Sequence, residues 1–172
     1  MNRALVMSLP NGGWTQNTYF DGDLTTNPIQ LPNTKTEKLV DSQNNKGTVI
    51  HYFDGLYRET KKETFDSQQG GHIFVDTQYD GKGRKQQTSN PYRSGETVAW
   101  SQVQYDVVDR PIAATGPDLS TIQYSYTGNQ TTVTDEGGNP RRYTYDGLGR
   151  MTKVEEPNPT LASPLITTSV TT

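Results

Sequence analysis

Cysteine is absent from the 172 residues, which excludes disulfides and thiolate-held metals. Histidine is nearly absent: only His51 and His72 occur. Each precedes a β-type run and neither lies near a Ser-Gly motif, so a histidine-centred hydrolytic triad has little to be built from. No apolar stretch is long enough to span a membrane, and the one in the opening MNRALVMSLP is too short for a signal-peptide core. If the parent protein is exported, this chain is expected to be a segment of it. Hydrophobic residues make up 30% of the chain. Typical globular domains have roughly 45–50%, counting glycine. With a mean hydropathy of -0.85, the chain has too little apolar volume to fill a thick two-layer core. Excess positive charge is missing too. The net charge is -3, and the short runs KGRK (Lys82 to Lys85) and RR (Arg141, Arg142) are balanced by nearby acids. They read as strand-face charge and give no reason to expect nucleic acid.

The residues that are abundant favour pleated, half-solvated surfaces. There are 10 Tyr, 4 Phe and 2 Trp, with many Thr, which is not the composition of a disordered chain. A repeat then stands out. FDGLYR runs from Phe53 to Arg58, YDGKGR from Tyr79 to Arg84, YDVVDR from Tyr105 to Arg110 and YDGLGR from Tyr145 to Arg150. YFDGDL at Tyr19 is a weaker copy without the arginine, and SYTGNQ at Ser125 to Gln130 is a degenerate one. Successive aspartates lie 26, 26 and 40 residues apart, and the last gap splits near Thr127.

Each copy has the parts of a hairpin. In NPRRYTYD, Arg141, Tyr143 and Tyr145 alternate with Arg142 and Thr144, so each set lines one face. Asp146 is placed to accept backbone hydrogen bonds two residues on, Gly147 and Gly149 to supply positive φ, and Arg150 to reach back to Asp146. The same roles fall to Asp54, Gly55 and Arg58, to Asp80, Gly81, Gly83 and Arg84, and to Asp106 and Arg110. DEGGNP and TGN supply second turns, so the C-terminal half reads as a meander over 122–127, 130–135, 140–146 and 150–156. No sustained helical period is present. The chain divides into an irregular or β segment with a degenerate repeat (1–50), a repeat sheet (51–158) and a Pro/Thr-rich tail or incomplete strand (159–172). Residues 23–36, with two prolines, read as irregular or as an edge strand.

With these residues in view, the chain resembles the YD-repeat (Rhs-repeat) family, whose signature is the quoted motif. The clear copies cover about residues 51–158. The resemblance implies an all-β fold, an antiparallel meander of hairpins forming an open, curved or spiralling sheet of the kind that builds hollow shells. Such shells occur in bacterial Rhs polymorphic toxins, in the C component of insecticidal toxin complexes and in teneurins. They enclose or present other polypeptides, and the repeats are linked to carbohydrate binding and cell-surface contact. Two departures matter. No Asp-Pro occurs, so the family's self-cleavage motif and released toxin are not carried over. The copy at Tyr105 has Val107 and Asp109 where glycines are expected, which predicts a wider or differently shaped turn. About five units, or ten strands, are too few to close a shell.

Catalytic and metal sites find little support. Glu155/Glu156 and Asp135/Glu136 are adjacent pairs that a strand would point to opposite faces, and the DGD of Asp21 to Asp23 lacks the spaced ligands of an EF-hand. The expectation is a non-enzymatic structural β-scaffold with no cofactor, secreted or at the bacterial cell surface. Its partners are the rest of the parent protein or copies of itself, paired through strand edges. The alternative is a carbohydrate-binding or adhesion module that stacks sugars on Tyr124, Tyr126, Tyr143 and Tyr145. Cross-strand packing by the same tyrosines is the plainer role.

Overall fold

The computed structural model describes residues 3–8, 14–23, 25, 31–39, 46–66, 71–157 and 165–170. The described residues are all-β, with every strand pair antiparallel, and fall into two units, Met1–Trp100 and Ser101–Thr172. The division lies inside the stretch that carries the repeats.

In the first unit β1 (Arg3–Ser8), β2 (Trp14–Phe20), β3 (Asn33–Leu39), β4 (Lys46–Phe53), β5 (Glu59–Asp66), β6 (His72–Tyr79) and β7 (Lys85–Ser89) follow one another as neighbours in chain order. β3 is not an edge strand. Asn33 to Thr36, placed in the irregular stretch by their prolines, pair with both β2 and β4, because the two prolines precede the strand and leave its own N–H groups free for the ladder. Thr34 and Thr36 line one face of β3; Lys35 and Glu37 line the other, joined at 3.1 Å.

In the second unit β8 (Trp100–Tyr105), whose first residue belongs to the first unit, is followed by β9 (Pro111–Thr115), β10 (Thr121–Thr127), β11 (Gln130–Thr134), β12 (Pro140–Tyr145), β13 (Met151–Pro157) and β14 (Leu165–Val170). The meander expected here stands within a residue or so at each end. The tail contributes β14, paired with β13; residues 158–164 and 171–172 lie outside the described residues. Fourteen strands are present among the described residues: β4 to β13 are the ten that five units supply, and β1, β2, β3 and β14 lie outside the clear copies.

Among the described residues the meander is open, since β1 pairs with β2 alone and β14 with β13 alone. Among the described residues Pro32, Thr77 and Ser89 are buried and no large aliphatic or aromatic side chain is; Ser89 Oγ accepts the Asp76 N–H at 2.8 Å. Alternation is visible instead of a core. On β10, Ile122, Tyr124 and Tyr126 are half-buried while Gln123 and Ser125 are exposed. Cohesion therefore rests on the backbone ladder and on cross-strand pairs, each contributing about 0.2–1 kcal/mol. No helix among the described residues is long and apolar enough to cross a membrane.

Candidate functional site

The hairpin between β12 and β13 shows how the repeat closes. The register shifts by one residue between Thr144 and Tyr145, which puts Tyr145 opposite Met151. Beyond it Asp146 N–H donates to the Arg150 carbonyl at 2.9 Å, and Gly149 N–H donates to the Asp146 carbonyl at 3.0 Å. This is a tight turn followed by one left-handed residue, Gly149, with φ of 77°. The Asp146 carboxylate fills the loop: Oδ1 accepts the Leu148 and Arg150 N–H groups, each at 2.9 Å, and Oδ2 accepts Arg150 Nε at 2.7 Å. Gly147, which the sequence suggests as a second positive-φ residue, is not left-handed: it sits on the ordinary arm of the turn, where φ is negative.

The lock recurs with little variation. In Asp54/Arg58, Asp80/Arg84 and Asp106/Arg110, aspartate Oδ1 takes two backbone N–H groups at 2.8–3.0 Å and Oδ2 takes arginine Nε at 2.7–2.8 Å. Gly55 and Gly81 stand where Gly147 does, and Gly83 is left-handed like Gly149. The turn at Tyr105 is neither wider nor differently built. Val107 occupies a position that does not need glycine, and Asp109 adopts the left-handed conformation at φ of 69°. Tyr57 and Leu119, the other non-glycine residues of positive φ among those described, occupy the same place in their turns.

Two further turns of this geometry lie outside the aromatic-Asp repeat. Asp135 accepts Gly137 and Asn139 N–H groups and the Asn139 side-chain amide, so Asn139 stands in for arginine. Gly116 to Ser120 closes through the same pair of backbone bonds with no aspartate at its head; Asp118 binds Ser120 instead. The Tyr-Asp pair finds neither, since Asp135 follows Thr134 and Gly116 follows Thr115.

The locks also reach forward along the sheet. The Arg58 guanidinium lies 4.5 Å over the Tyr79 ring, and Tyr79 OH donates to the Glu59 carbonyl at 2.9 Å. Arg110 lies 4.1 Å over Tyr126, whose OH donates to the Pro111 carbonyl at 2.7 Å. In both, the arginine that closes one turn is roofed by the tyrosine two strands on, and that tyrosine is tied to the residue after the arginine. A Cβ on Gly83 would meet Arg58 Nη1 at 3.1 Å.

Electrostatics follow the geometry. The backbone N–H groups of Arg58 and Arg150 hold Asp54 and Asp146 below the usual carboxylate range. At Asp80 and Asp106 lost solvation pushes upward, and the Arg84 and Arg110 backbone and guanidinium bonds outweigh it. Asn139 does the same for Asp135, and Ser120 for Asp118.

Tyr124, Tyr126 and Tyr143 share one face. Tyr126 and Tyr143 lie on either side of Thr131, and Tyr124 is opposite Val133, so the tyrosines alternate with smaller residues and do not stack on each other across the strands. All four tyrosines, with Tyr145, are half-buried, and Arg110 covers one face of Tyr126. The first unit has a second cluster. His72 lies between Phe65 and Phe74, and Phe74 contacts Tyr92. Glu63 accepts Tyr52 OH at 2.7 Å and is hydrogen-bonded to His72 Nδ1; His51 Nδ1 meets Glu59 at 2.6 Å. A shallow cleft of about 570 Å³ runs past Asp54, Arg58, Asp76, Tyr79 and Trp100. Glu155 is paired with Arg142 and Lys153, and its neighbour Glu156 with Arg141.

The family model described as RHS Repeat matches residues 124–160, the stretch that holds the Asp135 and Asp146 turns. No curated protein matches the chain.

Proposed function

As a YD-repeat (Rhs-repeat) protein, the chain is, we propose, a non-enzymatic structural scaffold: a segment of an exported bacterial protein that builds a shell or an extended surface at or beyond the cell surface. The observation that carries this reading is the repetition of one Asp–Arg lock in an open meander whose described residues bury no large aliphatic or aromatic side chain. Carboxylate oxygens that recur in the same engaged state serve to close hairpins, and a sheet without its own core is suited to extension by further strands. The open edge supplies the partner surface. All six residues of β1 are exposed, Leu5, Val6 and Met7 among them, so the edge can accept a strand of the parent chain or of a second copy.

Light scattering and electron microscopy of the isolated chain test this. Assemblies larger than one chain are expected, reverting to monomer on Val6→Lys, which puts a charge on the exposed edge strand. A strict monomer at every concentration overturns the self-association.

A second reading, glycan stacking, draws support from the common face of Tyr124, Tyr126 and Tyr143. Binding on a glycan array that disappears in Tyr143→Ala and Tyr145→Ala would favour it, and silence across a broad array would count against it.

A further inference from the structure

The chain contains four Asp-Gly dipeptides, at Asp21, Asp54, Asp80 and Asp146. Asp-Gly is the dipeptide most prone to backbone isomerisation, since glycine leaves its amide nitrogen unshielded. That nitrogen attacks the aspartate Cγ, and one water leaves, made of the carboxyl OH and the amide proton. The succinimide so formed takes up water again. Addition at Cγ restores aspartate, and addition at the main-chain carbonyl leaves the chain running through the side chain as isoaspartate. No oxidant or cofactor enters. The step needs a carboxyl group that is free to turn toward the next nitrogen and that loses hydroxide as water, which the protonated acid does far better than the anion.

We infer that the Asp–Arg lock protects Asp54, Asp80 and Asp146 from this reaction. In each locked turn both carboxylate oxygens are held from the far side of the loop. Oδ1 faces the N–H groups of the second and fourth residues on, at 2.8–3.0 Å, and Oδ2 faces the guanidinium at 2.7–2.8 Å. Rotating Cγ toward the adjacent glycine nitrogen breaks all of these bonds together. The same donors favour the anion, and each unit by which a carboxyl pKa falls cuts its protonated fraction about tenfold. The three locked side chains are 22%, 17% and 24% exposed. The inference does not depend on what the scaffold encloses or binds.

The test incubates the full chain at neutral pH and body temperature for several weeks, native and in concentrated urea, and maps isoaspartate peptide by peptide. Asn11–Gly12, outside the described residues, gives the same product and is mapped separately. In the native chain Asp54, Asp80 and Asp146 are each expected to accumulate isoaspartate at least about tenfold more slowly than in urea. Arg150→Gln keeps the backbone donors and removes the guanidinium; it should raise the yield at Asp146 while Asp54 and Asp80 stay low, which separates local release from unfolding. Equal native and urea rates at the locked sites, or an Arg150→Gln variant whose yield at Asp146 stays at the native level, overturns the inference.

Discussion

Arg58 closes the turn between β4 and β5, yet its guanidinium lies 4.5 Å over the ring of Tyr79, at the end of β6. One side chain thus joins two successive hairpins: it binds Asp54 within its own and Tyr79 in the next. A double-mutant cycle on Arg58→Ala and Tyr79→Ala should give a coupling of about 0.5–1 kcal/mol in urea unfolding, the range for a partly exposed cation–π pair. Tyr79→Phe keeps the ring and loses the bond to Glu59, so it should cost about 0.5–1.5 kcal/mol with the coupling to Arg58 intact.

The glycines of one turn should behave oppositely. Gly147 has open space around a built Cβ and no left-handed φ, so Gly147→Ala should leave stability unchanged or raise it by up to about 1 kcal/mol. Gly149, at φ of 77°, has equal space but the wrong backbone for a side chain; Gly149→Ala should cost about 1–2 kcal/mol. Gly83→Ala should cost more than Gly149→Ala, because its Cβ also crowds Arg58 Nη1. Unfolding midpoints of the three variants, measured side by side, check the order.

Leu119 is the reverse case, a left-handed leucine whose side chain is 81% exposed. Leu119→Gly gives up almost no packing and relieves a strain of about 1–2 kcal/mol, against about 0.5–1 kcal/mol of added chain entropy. A net gain of about 0.5–1 kcal/mol is expected in thermal or urea unfolding, and a loss would contradict the strain.

Acid should unlock the turns. The pKa values of Asp54, Asp80, Asp106, Asp118, Asp135 and Asp146 are all lowered in the fold. A carboxylate whose folded pKa lies below its unfolded one stabilises the fold above the unfolded value, about 3.9, and that contribution is lost as pH falls through the folded value. The urea midpoint should therefore be flat from neutral pH to about 5 and decline steeply below about 4. Asp146→Asn, which cannot ionise, should shallow the decline.

Alkali should act elsewhere. Burial and the adjacent Glu63 carboxylate push Tyr52 up to about 12, and the hydrogen bond to Asp76 followed by burial pushes Tyr92 to about 12. Raised values stabilise the fold below the ordinary phenol pKa of about 10, and this is lost as pH rises through about 12. Site-resolved NMR titration should show Tyr52 and Tyr92 among the last tyrosines to ionise. Glu63→Gln should bring Tyr52 down while leaving Tyr92 in place.

The sequence made the locks legible where aspartate, glycine and arginine all kept their places. Tyr145 to Arg150 showed its turn, its bond partners and its flanking strands in advance. The turn at Tyr105 misled because left-handed backbone was equated with glycine, and Asp109 supplies it without one. Gly116 to Ser120 went unseen because its closure is carried by backbone groups, which no side-chain pattern records. The forward reach of Arg58 and Arg110 depends on register two strands away, and β3 on pairing partners that outweigh its two preceding prolines.

A fold whose described residues bury no large aliphatic or aromatic side chain gains nothing from becoming larger. In a globular domain each added residue improves the ratio of interior to surface, so there is a size below which the domain fails and another above which it divides. Here an added hairpin brings its own fastening and the same share of surface as the last. Selection can therefore lengthen or shorten such a chain one hairpin at a time, and its length is free to follow whatever it must span.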